Sequence, residues 1–178
     1  MDAVRALKRL INKHAIVPLK NDGDKYSFKL TERQPNYGLT VYDCPADTFV
    51  FMCDDKFPSP NKIFRGDKGE CKRADYIIVS SEIKNIVIIE LKHSKQSSTK
   101  GDVVSQLKGA NCLLEYCESV ISSFWGDKGL FVGFETKYIK YIHRSRKRSF
   151  KTETMAKNDS PDKFRIIYEK SVPFNMLV

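Results

Sequence analysis

Three residues have types and spacing that could do chemistry together: Asp75, Glu90 and Lys92, in the pattern D-x14-E-x-K. Asp75 opens one hydrophobic run, Ala74–Ser80 (ADYIIVS), and Glu90 and Lys92 close the next, Asn85–Lys92 (NIVIIELK). Both runs read as strands, and Ser81–Lys84 between them is long enough for a hairpin loop. Ser80 then pairs with Asn85, which sets Asp75 directly opposite Glu90. Opposed side chains lie about 5 Å apart at Cβ, where like charges repel. Alternation along a strand puts Lys92 on the same face as Glu90. A slip of one residue would undo the arrangement. A divalent cation offsets the repulsion: Mg²⁺ takes one or two carboxylates and completes its shell with waters and phosphate oxygens. A neighbouring lysine can orient a water or stabilise charge on phosphorus. The reaction class is metal-assisted phosphodiester hydrolysis. The plainer alternative is an exposed carboxylate–lysine pairing at a strand end, which contributes little.

Arg73–Ala74–Asp75 at the head of one strand and Ile88–Ile89–Glu90–Leu91–Lys92 at the tail of the next resemble the D…(D/E)-x-K core of the PD-(D/E)xK nuclease superfamily, the restriction-endonuclease-like proteins. The polar stretch that follows, and a helix with Gln106–Leu107 in its first turns, are similar to the Q-bearing helix of many members. The resemblance covers roughly Thr48–Phe134. It implies an α/β fold with an αβββαβ core, a mixed central sheet flanked by helices. Residues 1–178 then form one domain, with its core at about 48–134 and a basic extension at about 137–178. It also implies Asp75 and Glu90 as metal ligands, the Leu91 backbone carbonyl as a third, Lys92 as the catalytic lysine and Gln106 as a residue orienting water or substrate. The implied cofactor is Mg²⁺ or Mn²⁺, and DNA is favoured over RNA as substrate. Two departures stand out. Ala74 replaces the proline that names the motif, and the first helix has no Glu. Glu32 or Asp43 would have to supply any further carboxylate.

The elements that must position these residues are partly visible. Val4, Leu7, Leu10 and Ile11 fall at helical spacing within Asp2–His14. Tyr26–Leu30 alternates as a strand does, and Thr48–Cys53 (TFVFMC) is a second candidate. Asp54–Glu70, rich in Pro, Gly and charge, is expected to be a long surface loop. Val103, Leu107, Ala110, Leu114, Cys117 and Ile121 give one buried face to a helix over about Asp102–Ser122. Gly129–Phe134 (GLFVGF), Lys137–Ile142 and Phe164–Tyr168 are expected strands, the last at an edge. Trp125 is expected to be a packing anchor.

Charge points to the partner. The chain holds 31 Lys+Arg against 22 Asp+Glu, a net charge of +9, which suits a polyanion. Lys137–Lys151 carries seven Lys/Arg and no acid, with Tyr138, Tyr141 and Phe150 interleaved. Such a segment can neutralise phosphates and stack on unpaired bases. Its expected nucleic-acid-binding core is Arg144, Arg146, Lys147 and Arg148. A solvated strand end is the alternative. No apolar run approaches the twenty or so residues of a membrane span, and Met1–His14 lacks a signal-peptide core. The five cysteines read as reduced thiols of a cytoplasmic protein without a membrane partner. A basic nuclease needs restraint, so a regulatory partner or a homodimer is expected, in phage defence, restriction or repair. The competing hypothesis is a catalytically silent nucleic-acid-binding or accessory scaffold subunit with the same fold.

Overall fold

The computed structural model describes residues 2–31, 38–54, 56–58, 60–93, 98–143 and 157–178. Their order is α1 (Ala3–Leu10), β1 (Lys20–Asn21), β2 (Tyr26–Thr31), β3 (Gly38–Cys44), β4 (Phe49–Met52), β5 (Tyr76–Ser80), β6 (Asn85–His93), α2 (Lys100–Trp125), β7 (Glu135–His143), β8 (Arg165–Ile167) and β9 (Ser171–Pro173), with short 3-10 turns between some of them. The fold is mixed α/β, with two helices and two sheets.

The hydrophobic hairpin forms the centre. β5 and β6 pair antiparallel from Ser80 opposite Asn85 to Tyr76 opposite Ile89, the register the four-residue loop implies. They lie inside a five-stranded sheet of order β4-β5-β6-β7-β8, in which β4, β5 and β6 are antiparallel neighbours and β7 and β8 run parallel to β6. Every residue of β5 is buried because the sheet is covered on both faces. Ile77, Val79, Ile86 and Ile88 point into a core with Val4 and Leu7 of α1 and with Val103, Leu107, Ala110 and Leu114 of α2. Ile78, Val87, Ile89 and Leu91 point the other way, into a core with Phe28, Leu30, Leu39 and Val41 of the second sheet. That sheet has the order β1-β2-β3-β9, with β9 parallel to β3. Helices therefore cover one face of the central sheet and a four-stranded sheet covers the other, where helices were expected on both.

Local chemistry sets the boundaries. The side chain of Asp2 caps α1 by accepting from the Arg5 N–H, and α1 ends at Leu10 because Ile11 is extended and Asn12 caps a new 3-10 turn. Thr99 and Asp102 form a capping box at the start of α2, and Gly126, at φ 77°, ends it in a left-handed conformation. Asp47 holds the closed end of the central hairpin. Its carboxylate accepts from Ser80 Oγ (2.7 Å), Ser81 N (2.6 Å) and Glu82 N (2.8 Å).

Gly129–Phe134 is not a strand. Gly129 and Gly133 have φ of 66° and 80°, and two consecutive turns replace the extended chain. The strand that follows α2 is β7, which carries the core past residue 134 to His143. Lys137–Ile142 is a strand, as expected, within β7, which lies between β6 and β8, and Tyr138 and Tyr141 are buried. They hydrogen-bond to Asn111 and to the Gly38 carbonyl, so neither is offered for base stacking. β8 is an edge strand, as expected. Trp125 is partly exposed, with the Arg9 guanidinium 5.3 Å from its ring centre. No helix among the described residues is long and apolar enough to cross a membrane.

Candidate active site

β6 and β7 both end at the edge of the sheet where β5 begins, so Asp75, Glu90, Lys92 and the end of β7 converge there. Asp75 precedes β5, and two contacts fix its approach. Gly109 of α2 lets the chain pass close: a Cβ there would lie 1.8 Å from the Lys72 carbonyl oxygen. One residue on, the Arg73 guanidinium donates to the carbonyls of Phe57 and Pro58, at 2.8 and 2.9 Å, tying the long loop to the site. The ladder from β4 then continues through the Cys53 N–H to the Asp75 carbonyl, 2.8 Å.

From this position the Asp75 carboxylate reaches across the hairpin and accepts from the Leu91 N–H at 2.6 Å. Glu90 lies on the helix-covered face, 1 % exposed. Its Oε1 contacts the Lys92 ammonium, and its buried Oε2 receives no hydrogen bond from a donor among the described residues, leaving Asp75 as the group the Glu90 carboxyl proton can bond. Burial, reinforced by the nearby Asp75 carboxylate, pushes the Glu90 carboxyl up to about 9, against the opposing pull of Lys92. Without a cation the site thus keeps a proton on Glu90 at neutral pH. A buried carboxylate costs several kcal/mol. The hairpin can bear this because nine apolar side chains of β5 and β6 are buried around it, each contributing about 1.5–3 kcal/mol.

A fourth charged group joins the three expected ones. In the parallel pairing of β6 and β7, Lys140 is the direct partner of Glu90. Lys140 follows Tyr138 on the helix-covered face, and its Nζ donates to Ser98 Oγ at 3.2 Å, just ahead of α2. Burial and the neighbouring Lys92 lower its pKa, with Glu90 acting in the opposite sense. Sequence reasoning counted Lys140 only as part of a basic run, because its place beside Glu90 depends on a register set across the whole of α2.

The other expected residues fall differently. Leu91 is in place between Glu90 and Lys92, with its side chain buried in the inter-sheet core and its N–H on Asp75. Gln106 sits half-buried on α2, one residue before the buried Leu107, and makes no hydrogen bond among the described residues. Arg144, Arg146, Lys147 and Arg148 lie outside the described residues, as does Glu32. Asp43 is on β3 in the other sheet, ion-paired with Lys25 at 3.2 Å, so it adds no third carboxylate. His93 packs against His143, ring centres 6.1 Å apart, and the Tyr141 hydroxyl lies 3.3 Å from His143 Nδ1.

No family model matches the chain, and no curated protein or solved structure matches it. The site must therefore be judged on its own chemistry. Among the described residues no group of three or more His, Cys, Asp or Glu could hold a metal ion. What remains is two carboxyl groups, one of them buried, beside a backbone carbonyl and two lysines. These hard oxygen donors fit a cation such as Mg²⁺, which needs only one or two carboxylates when phosphate and water complete its shell. A cavity of about 400 Å³ elsewhere, between Leu10, Phe57, Tyr116 and Val120, includes none of these residues.

Proposed function

We propose that the chain is a metal-dependent nuclease of the restriction-endonuclease-like kind, acting on DNA in preference to RNA. The observation that carries this reading is the buried Glu90 carboxyl set against the Asp75 carboxylate, a pair held together by a proton that a cation would replace. Two carboxyl groups held together in a buried place need either a shared proton or a cation to offset their repulsion. In the central sheet, three antiparallel strands (β4, β5, β6) followed by α2 and the parallel β7 support the same reading, with β1–β3 of the other sheet between α1 and β4.

Asp75, Glu90 and the Leu91 carbonyl would hold Mg²⁺ or Mn²⁺, which when bound supplies Lewis acidity at the phosphorus and makes a nearby water more acidic. The chain's own residues do the remainder. Glu90 would hold the cation as the carboxylate, its proton passing to solvent. Lys92 would orient the attacking water, whose proton passes to solvent, and would donate a hydrogen bond to the oxygen on which charge builds as the new P–O bond forms and the ester P–O bond breaks, the leaving oxygen taking its proton from solvent. Gln106, half-buried on α2, would orient water or substrate, as the resemblance implies. The basic run Arg144–Arg148 starts one residue beyond β7 and would neutralise flanking phosphates.

The test is cleavage of supercoiled plasmid, linear DNA, single-stranded DNA and RNA in Mg²⁺, in Mn²⁺ and in chelator, by wild type, Asp75→Ala and Lys92→Ala. Metal-dependent cutting that both substitutions abolish is the expected result. Cutting that survives chelation, or survives both substitutions, overturns the assignment.

A further inference from the structure

Lys140 is unusual among the charged groups at this edge. Lys92 contacts Glu90 Oε1, but no carboxyl oxygen contacts the Lys140 ammonium among the described residues. Its one polar contact there is the neutral Ser98 hydroxyl, at 3.2 Å. It is half-buried, and the nearest cation on its own face is Lys92. Holding a second ammonium partly out of water, beside a first, is unfavourable on its own. The arrangement is sensible when an anion arrives between them. That anion cannot be Glu90, which Lys92 and the expected cation already engage.

We propose that Lys140 and Ser98 form a phosphate subsite, which receives a backbone phosphate of the nucleic acid immediately beside the cleavage centre. The inference rests on the nuclease reading for the identity of the polyanion, but not for the contact itself. Lys140 supplies charge, and Ser98 both aims the ammonium and offers its hydroxyl as a donor to a second phosphate oxygen. Together they fix where the strand lies relative to Asp75 and Glu90, one strand of the sheet away.

Counterion release gives a direct readout of one phosphate contact. Binding of a labelled DNA duplex is measured by fluorescence anisotropy, with Ca²⁺ in place of Mg²⁺, from about 50 to 200 mM salt. Lys140→Met is expected to weaken binding about tenfold at low salt and to make the slope of log K against log salt shallower by about one. Lys140→Arg restores the slope, because charge is what it reports. Ser98→Ala weakens binding but leaves the slope unchanged, since no charge is lost. Lys137→Met is the control: Lys137 is on the same strand but is ion-paired to Glu135 at 2.9 Å, and its slope stays that of wild type. A Lys140→Met slope equal to wild type overturns the subsite, as does wild-type protein that binds no DNA. If the Lys140 slope behaves as expected while wild type neither binds Mn²⁺ nor cuts, the subsite stands and the nuclease reading alone fails.

Discussion

Asp47 and Asp75 stand at opposite ends of the β5–β6 hairpin, and their carboxylates meet very different surroundings. Asp47 receives three hydrogen bonds from Ser80, Ser81 and Glu82, and so closes the loop end as a staple. Asp75 receives the Leu91 N–H and faces Glu90, whose second oxygen receives no hydrogen bond from a donor among the described residues. One acid lowers the energy of the fold, while the other helps to raise the pKa of the buried Glu90. A carboxylate with its acceptor sites filled is structural; one set against a second, buried carboxyl group is where the proposed cation would bind.

This contrast is sharpest under substitution. Asp75→Asn should reduce cleavage by about a thousandfold, the scale on which positioned catalytic groups act. Its melting temperature should change little, because the amide oxygen still accepts from the Leu91 N–H and the neighbouring Glu90 is already neutral. Asp47→Ala should do the reverse, costing about 3 kcal/mol of stability through loss of hydrogen bonds to a charged group, with cleavage retained below its melting point. Thermal unfolding and plasmid cleavage on the same preparations check both. If Asp75→Asn melts well below Asp47→Ala, the two roles have been assigned the wrong way round.

Next in size is Gly109→Ala. The new Cβ would meet the Lys72 carbonyl oxygen at 1.8 Å, and overpacking of this kind costs about 1–3 kcal/mol. Because Lys72 leads directly into Asp75, cleavage should fall even at temperatures where the variant is fully folded. Unaltered cleavage would show that the α2 contact does not position Asp75.

The pH dependence follows from Glu90. Its carboxyl titrates in the fold at about 9, above the usual 4.5 of an unfolded glutamate. The protonated form is therefore the one the fold favours. Metal-free stability should be greatest below about pH 4.5 as far as this group is concerned, and its contribution should be lost as pH rises through 9. Glu90→Gln should flatten that decline in a series of chemical denaturation curves. The same proton competes with the cation, so metal affinity should climb with pH over the same window. The smallest effect belongs to Thr99→Ala, which removes the cap of α2 near Lys140 and should cost about 1 kcal/mol, as read from the urea midpoint.

The hairpin was legible in the sequence because two continuous apolar runs and a four-residue loop allow few registers, and Asp75, Glu90 and Lys92 follow from that register alone. The helix α2 was equally plain from its 3.6-residue period. What could not be read depends on distant pairing. Lys140 meets Glu90 only after the chain has crossed the sheet along all of α2. The second sheet closes when Val172 aligns with Val41, more than a hundred residues earlier. The apolar run Gly129–Phe134 suggested a strand by composition, but its glycines adopt positive φ and turn the chain. Tyr138 and Tyr141 looked like stacking platforms in a basic run, yet β7 is an internal strand and takes them into the two cores.

The central claim is that Asp75 and Glu90 together bind a divalent cation. Isothermal titration of Mn²⁺ into wild type and Asp75→Ala, at pH values from 6 to about 9, tests it most directly. The account predicts one binding event in wild type that strengthens with pH, releases a proton and vanishes in Asp75→Ala. Wild-type protein that gives no heat of binding at any pH would contradict it, and would favour a silent nucleic-acid-binding scaffold in place of an enzyme.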